Sequence, residues 1–236
     1  MVADFFASES VRDALEILKT QFPLAIWETL YVTVLSTFFA VVIGLPLGVL
    51  LVAGENGRIL KVPKALLHLL NVVINLLRSV PFLILMIMVF PLTRLIVGTV
   101  VGTPASIVPL VTASFPFVAR LVESSLRKVD PNVIEAAQSF GASSFQIITK
   151  VMIPESVPSL ISDTAVAVTT ILGYSAMSGM LGGGGLGKIA VNYGYYRYQY
   201  LVMLLAVICL IVLVQIFQSI GTGLAKRCDK RLKGRK

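Results

Sequence analysis

The chain has 236 residues, of which 56% are hydrophobic and only 14% charged, and it carries a formal net charge of +8. Soluble domains are roughly half apolar and about a quarter charged, so this composition excludes an ordinary water-soluble enzyme and calls for a lipid solvent. The positive charge does not indicate a nucleic-acid partner: Lys226, Arg227, Lys230, Arg231, Lys233, Arg235 and Lys236 crowd the last eleven positions, directly after an apolar run, as a tail at the cytoplasmic leaflet does.

Residues 1–23 are expected to form an outward-facing extension. Asp4, Glu9, Asp13 and Glu16 stand where a signal peptide needs a basic segment. Val11, Leu15 and Leu18 recur at helical spacing with Ala14 and Ile17 beside them, so this stretch reads as a short surface helix, the alternative being a mobile extension.

Five apolar runs follow. The first covers 24–53, with Glu28 near its start, and Gly54, Glu55, Asn56 and Gly57 close it as a turn. The second covers 65–90 and holds Arg78, Ser79 and Pro81 in its middle. The third covers 104–121, with an amphipathic end through Arg127. The fourth covers 157–177 and the fifth 200–224. Each exceeds or approaches the roughly 20 residues that cross about 30 Å of hydrocarbon. No alternating pattern competes, which excludes a β-barrel. The fold class is an all-α integral membrane protein with five transmembrane helices, a membrane domain at 24–225 and a basic tail at 226–236. Cys209 lies within the fifth span and Cys228 in the tail, which indicates neither a disulfide framework nor a metal site.

An odd number of spans puts the termini on opposite sides. With the C-terminus inside, the inner segments hold Arg58, Lys61, Lys64, Arg127, Lys128, Lys150 and the seven tail residues, thirteen in all. The outer segments hold Arg12, Lys19, Arg94, Lys188 and Arg197, five in all, and Arg78 and Arg120 fall within spans or at their edges. That bias places the N-terminus outside and the C-terminus in the cytoplasm.

The long inward-facing loop is punctuated as two short helices. Asp130 suits an N-cap and Pro131 the first helical position. Val133, Ile134, Ala137 and Phe140 share one face, and Gly141 offers a stop. Ser143 and Gln146 have capping-box spacing. Ile147, Ile148 and Val151 then line a second apolar face that Pro154 is expected to end. On periodicity alone the loop reads as an interfacial helix lying on lipid.

The residues themselves reverse that preference. Glu135-Ala136-Ala137, Gly141, and Val151, Ile153 and Pro154 reproduce the EAA–G–I-x-L-P signature, with Val151 in place of the usual Ile and Ile153 in place of the usual Leu. The chain thus resembles the permeases of ATP-binding-cassette (ABC) importers, a type I importer permease fold. Arg78-Ser79-Val80-Pro81-Phe82, Phe90-Pro91-Leu92-Thr93-Arg94, Gly173-Tyr174-Ser175-Ala176-Met177, Gly184-Gly185-Leu186-Gly187 and Tyr193-Gly194-Tyr195 follow the pattern of the methionine-uptake permeases over about residues 24–225.

The resemblance implies that Glu135 to Pro154 is a coupling loop docking on an ATP-hydrolysing subunit. It implies two copies of the chain facing each other, two ATP-binding subunits and an extracytoplasmic binding protein, in a bacterial plasma membrane. Arg78 is placed near the pathway, with a purely structural role as its alternative, and Asp163 shares that ambiguity. Tyr174, Ser175 and Met177 are expected to line or gate the path, against ordinary helix packing. Gly184, Gly185 and Gly187 are expected in a flexible outer loop or re-entrant turn near the binding-protein face.

Other classes fit less well. Gly182-x-Gly184-x-x-Gly187 matches a dinucleotide fingerprint in letters only, because no strand precedes it. His68, the one histidine, and Ser175 fall near opposite leaflets, against an intramembrane serine protease. A self-sufficient channel or secondary transporter calls for internal repeats and midplane carboxylates, and neither is present. No Gly-x4-Gly-Lys-Ser/Thr loop occurs, so no cofactor is expected in this chain and ATP and Mg belong to the partner.

Overall fold

The computed structural model describes residues 9–55, 57 and 59–229, with side chains from residue 11 onward. Arg58 and the tail residues Lys230, Arg231, Lys233, Arg235 and Lys236, all used in the charge comparison, lie outside the described residues. Among those described, the chain is helical with no strand. We number the helices α1 (Glu9–Thr20), α2 (Phe22–Gly54), α3 (Lys64–Ser79), α4 (Phe82–Met88), α5 (Phe90–Val97), α6 (Pro104–Leu126), α7 (Pro131–Ser139), α8 (Ser144–Leu181), α9 (Gly185–Ile189) and α10 (Tyr200–Cys228).

Four of these are long and apolar enough to cross a membrane: α2, α6, α8 and α10. The expected second span is not one helix. α3 and α4 together pass the same test, but they are bent by 110° at Val80 and Pro81. The cause is local. Pro81 has no N–H to continue the ladder, and it pushes Val80 to φ −82°, ψ 127°, outside the helical region. Arg78, expected mid-span, therefore sits exposed in the last turn of α3.

The fourth span also departs from expectation. Pro154 does not end a helix. The backbone widens to π-helical geometry over Ile147–Met152 and then runs on as α-helix over Ile153–Ser178. A wide turn just before a proline accommodates the missing donor without breaking the rod.

The chain divides into two compact units. The first comprises the described residues of Met1–Thr37 with Phe82–Val111 and Val168–Ile216. Its core joins Ala14 of α1, Phe22 and Ala25 of α2, Leu186 and Ile189 of α9, and Val202 and Ala206 of α10. α1 is thus no loose extension: Val11 and Ala14 are buried, and Ile17 and Leu18 pack against that core.

The second unit comprises Phe38–Pro81, Thr112–Ala167 and the described part of Phe217–Lys236. Here α2 and α6 pack closely. A Cβ on Gly44 would fall 2.9 Å from the Phe115 carbonyl oxygen, and one on Gly48 2.6 Å from that of Ala119. This is the small-xxx-small geometry by which membrane helices gain van der Waals contact. Leu51, Ile74 and Ala119 fill the space alongside.

Candidate coupling loop and passage residues

The loop after α6 folds as its capping residues dictate. The Asp130 carboxylate accepts from the Asn132 N–H (2.9 Å), and Pro131 opens α7. The Ser143 hydroxyl accepts from the Gln146 N–H (3.3 Å), while the Gln146 side-chain oxygen accepts from the Ser143 N–H (2.9 Å), a complete capping box. Gly141 lies between them at φ +76°, where an L side chain is strained. α7 carries Glu135 and Ala136 exposed and Ala137 half-buried.

The apolar face expected for α7 is not packed: the helix has no buried residue, and Phe140 is 92% exposed. Phe145, opening α8, is 74% exposed. Sequence reasoning missed Phe145 and placed Phe140 on the apolar face of α7, because periodicity identifies an apolar stripe without saying what covers it. Val151 and Ile153 are half-buried and Pro154 is exposed, all on the stem that joins the loop to α8.

Beside α7 lies a cleft of 440 Å³ lined by Val52, Glu55, Arg127, Ile134, Glu135 and Gln138, among others. Its polar wall is a charge network. The Arg127 guanidinium contacts Glu55 at 2.6 Å and Glu123 at 2.8 Å, and Arg120 contacts Glu123 at 2.6 Å and the Asn75 side-chain oxygen at 2.9 Å. Hydrogen bonds to Glu55 and then to Glu123 hold the Arg127 pKa above its ordinary value. Both carboxylates thus face a permanent cation, which ties the end of α2 to the end of α6.

A second polar chain joins α6 to α8. The Ser125 hydroxyl donates to the Asp163 carboxylate at 2.5 Å and lies 2.7 Å from the Ser159 hydroxyl, which accepts from the Lys128 ammonium at 2.8 Å. Asp163, left open between two roles by the sequence, is a partnered carboxylate within this chain.

In the first unit, the end of α8 carries the expected passage residues. Met177 is 44% exposed. Ser175 is buried and its hydroxyl donates to the Leu172 carbonyl at 2.8 Å, which satisfies it within the helix. The Tyr174 ring is half-buried and stacks on Phe82. Tyr174 is thus engaged by Phe82, whereas Met177, one turn further on, is exposed.

The glycine segment that follows is closely packed, not a flexible loop. Gly185 and Gly187 are buried and Gly184 is half-buried. A Cβ on Gly184 would fall 2.1 Å from the Thr103 hydroxyl oxygen, and one on Gly187 2.1 Å from the Ala176 carbonyl. The Glu28 carboxylate anchors the turn: it accepts from the Gly185 N–H at 2.7 Å and the Thr103 hydroxyl at 2.8 Å. Thr29 adds a bond from the Leu186 N–H at 2.9 Å. Gly185 at φ +80° turns its N–H toward that carboxylate. The one signal in sequence was Glu28 itself, a charge in an apolar run, which is costly unless partnered.

With this geometry in place, comparison with known proteins is direct. The sequence profile of the family described as binding-protein-dependent transport system inner membrane component matches residues 44–231. The probable D-methionine transport system permease protein MetI of Vibrio cholerae is 47% identical over 208 residues, 88% of this chain and 92% of that protein. The D-methionine transport system permease protein MetI of Escherichia coli strain K12 is 44% identical over 154 residues, 65% of this chain and 70% of that one. A chain of the inward-facing MetNI methionine ABC transporter superposes with TM-score 0.88 at 40% identity, covering 91% of this chain and 99% of that one. A chain of an amino acid ABC transporter at 19% identity shares the fold, with TM-score 0.74, covering 90% of this chain and 97% of that one. The helical membrane architecture, the loop signature and these relatives agree: the chain belongs to the family of binding-protein-dependent transport system inner membrane components, the permeases of ABC importers.

Proposed function

We propose that two copies of this chain form the membrane pathway of a methionine importer, and that the coupling loop receives the work of ATP hydrolysis from a partner subunit. Support for the substrate comes from the relatives, whose names specify D-methionine or methionine transport. Stereochemistry is set by the binding protein that delivers the amino acid, and ATP and Mg are held by the partner.

The observation that carries the reading is the construction of the loop. A capped two-turn helix, bare of buried residues, presents Glu135, Ala136 and Phe140, with Phe145 close behind in sequence. Exposed aromatic anchors beside small residues are what a protein groove binds. The loop continues through Val151, Ile153 and Pro154 into the same helix that bears Tyr174 and Met177. A push on α7 therefore reaches α8 through the Gly141 turn and the widened stretch at Ile147–Met152. The charge network at Arg127 braces the stationary side. In this reading the N-terminus faces outward, the loop and C-terminus face the cytoplasm, and the glycine turn held by Glu28 lies on the binding-protein side.

The test is assembly and uptake. Gly141→Val strains the chain reversal that aims α7, and Glu135→Lys reverses the charge offered to the ATPase subunit. Both are expected to lower co-purification of that subunit and methionine uptake in cells. Wild-type assembly and uptake in both variants would overturn the docking role.

A further inference from the structure

Within the first unit, the start of α2 and the stretch from α9 to the bend before α10 line a cavity of 320 Å³. That is the lower end of the roughly 300–1,000 Å³ of small-molecule sites. Its wall carries both signs of charge: Glu28 from α2, Lys188 from α9 and Arg197 from the segment before α10. Neither cation forms an ion pair with Glu28 or with any other described residue, although the three share one cavity.

The remaining hydrogen-bonding capacity is specific. Each Glu28 oxygen accepts one neutral donor, the Thr103 hydroxyl at 2.8 Å or the Gly185 N–H at 2.7 Å. A carboxylate has about four acceptor sites, so Glu28 keeps its charge and has room for further donors. The Arg197 guanidinium lies over the Tyr193 ring, 4.6 Å from its centroid, which holds it by a cation–π contact. The Tyr193 hydroxyl accepts from the Gln21 side chain and retains its own proton to donate. Leu24, Ala25 and Ile189 supply an apolar part of the wall. Opposite charges that share a cavity without meeting are matched by a guest that carries both.

We propose that this cavity binds a zwitterionic α-amino acid with an apolar side chain. Lys188, Arg197 and the Tyr193 hydroxyl receive its carboxylate, Glu28 its ammonium, and Leu24, Ala25 and Ile189 its side chain. The proposal rests on the methionine-permease reading above and gives the substrate a place on this chain. An acidic side chain from a partner protein would leave Glu28 without a cation. A basic one would leave Lys188 and Arg197 without an anion. A phosphoethanolamine headgroup carries the same pair of charges, and the experiment separates it.

The experiment uses the complex of permease and ATPase subunits in phosphatidylcholine nanodiscs, without the binding protein, and measures binding of radiolabelled methionine. Two analogues probe the charges: methionine methyl ester lacks the carboxylate, and the 2-hydroxy acid analogue lacks the ammonium. Lys188→Gln is expected to weaken methionine and the hydroxy acid about tenfold or more, one charge-assisted bond, and to leave the methyl ester unchanged. Glu28→Gln keeps an acceptor for Gly185 and a donor for the Thr103 hydroxyl. It is expected to weaken methionine and the methyl ester and to leave the hydroxy acid unchanged. Arg12→Gln, exposed on α1 and outside the cavity, should bind as wild type.

Unchanged methionine binding in Lys188→Gln and Glu28→Gln would overturn the proposal, as would equal loss of all three ligands with a lowered melting temperature. Loss of methionine binding when phosphatidylethanolamine replaces phosphatidylcholine would give the cavity to lipid and overturn it. Loss of binding-protein capture with methionine binding intact would make Lys188 a docking contact and overturn it too. An unmodified complex that takes up methionine without binding it here would do the same. The wider permease reading fails separately: the unmodified complex, supplied with its binding protein, would then show no methionine uptake.

Discussion

Tyr174 lies flat on Phe82, with ring centroids 4.6 Å apart and planes within 3° of each other. Phe82 is the first residue of α4, immediately after the Pro81 break, so the stack fixes the start of the redirected chain against α8. The tyrosine hydroxyl plays no part in it. Tyr174→Phe should therefore keep stability and uptake near wild type. Tyr174→Ala and Phe82→Ala should each destabilise the complex, and a double-mutant cycle on its thermal unfolding should return a coupling of about 1 kcal/mol. Additive effects would show that the rings do not hold this junction.

The Glu28 anchor supports a different prediction. Its two acceptor bonds hold Gly185 and Thr103, and removing a charged acceptor from part-buried donors costs about 1.5–3 kcal/mol. Glu28→Ala should lower thermal stability by that order, and Thr103→Val by less, because only one of the two bonds is lost. Gly187→Ala should be worse than either, since its methyl collides with the Ala176 backbone rather than with a movable side chain.

At the loop, Phe140→Ala and Phe145→Ala should leave the permease as stable as before, because neither ring is buried in this chain. Each should weaken ATPase binding by about 2 kcal/mol or more if it fills a pocket in the partner. Titrating purified ATPase subunit onto the immobilised permease measures this directly. Equal affinity for both variants would move the contact to Glu135 and Ala136.

Orientation is open to a chemical test. Cys228 is exposed at the end of α10 and should resist a membrane-impermeant thiol reagent in intact cells, then react once the cells are broken. A cysteine at Ser8, outside the described residues, should react from outside. The opposite pattern would invert the topology and take the coupling loop to the wrong side for ATP.

Much of this was legible in the sequence because it depends on local chemistry. Asp130, Pro131, Gly141, Ser143 and Gln146 dictate the loop through caps and a positive φ, and the structure forms each of those contacts. The apolar runs gave the membrane helices for the same reason: length and hydropathy act within one segment. Whatever needed a partner distant in sequence was hidden. The Glu28 anchor joins residues 157 apart, and nothing in either neighbourhood announces the other. The 110° bend is half visible, since Pro81 marks a break in the run but not the angle at which the chain resumes. The through-going α8 was missed because a proline signals termination unless the backbone widens before it, which composition does not reveal.

That widened stretch has a mechanical consequence. Over Ile147–Met152 the helix carries surplus chain, and Pro154 and Pro158 each withhold a donor from the turn before them. The stem below the membrane rod is therefore its most compliant length, able to take up a residue's worth of rotation that the rest of α8 resists. Torque from the loop would be absorbed or released there like a torsion spring, so amide exchange should be fastest along α8 at this stem, and slow when the loop is clamped.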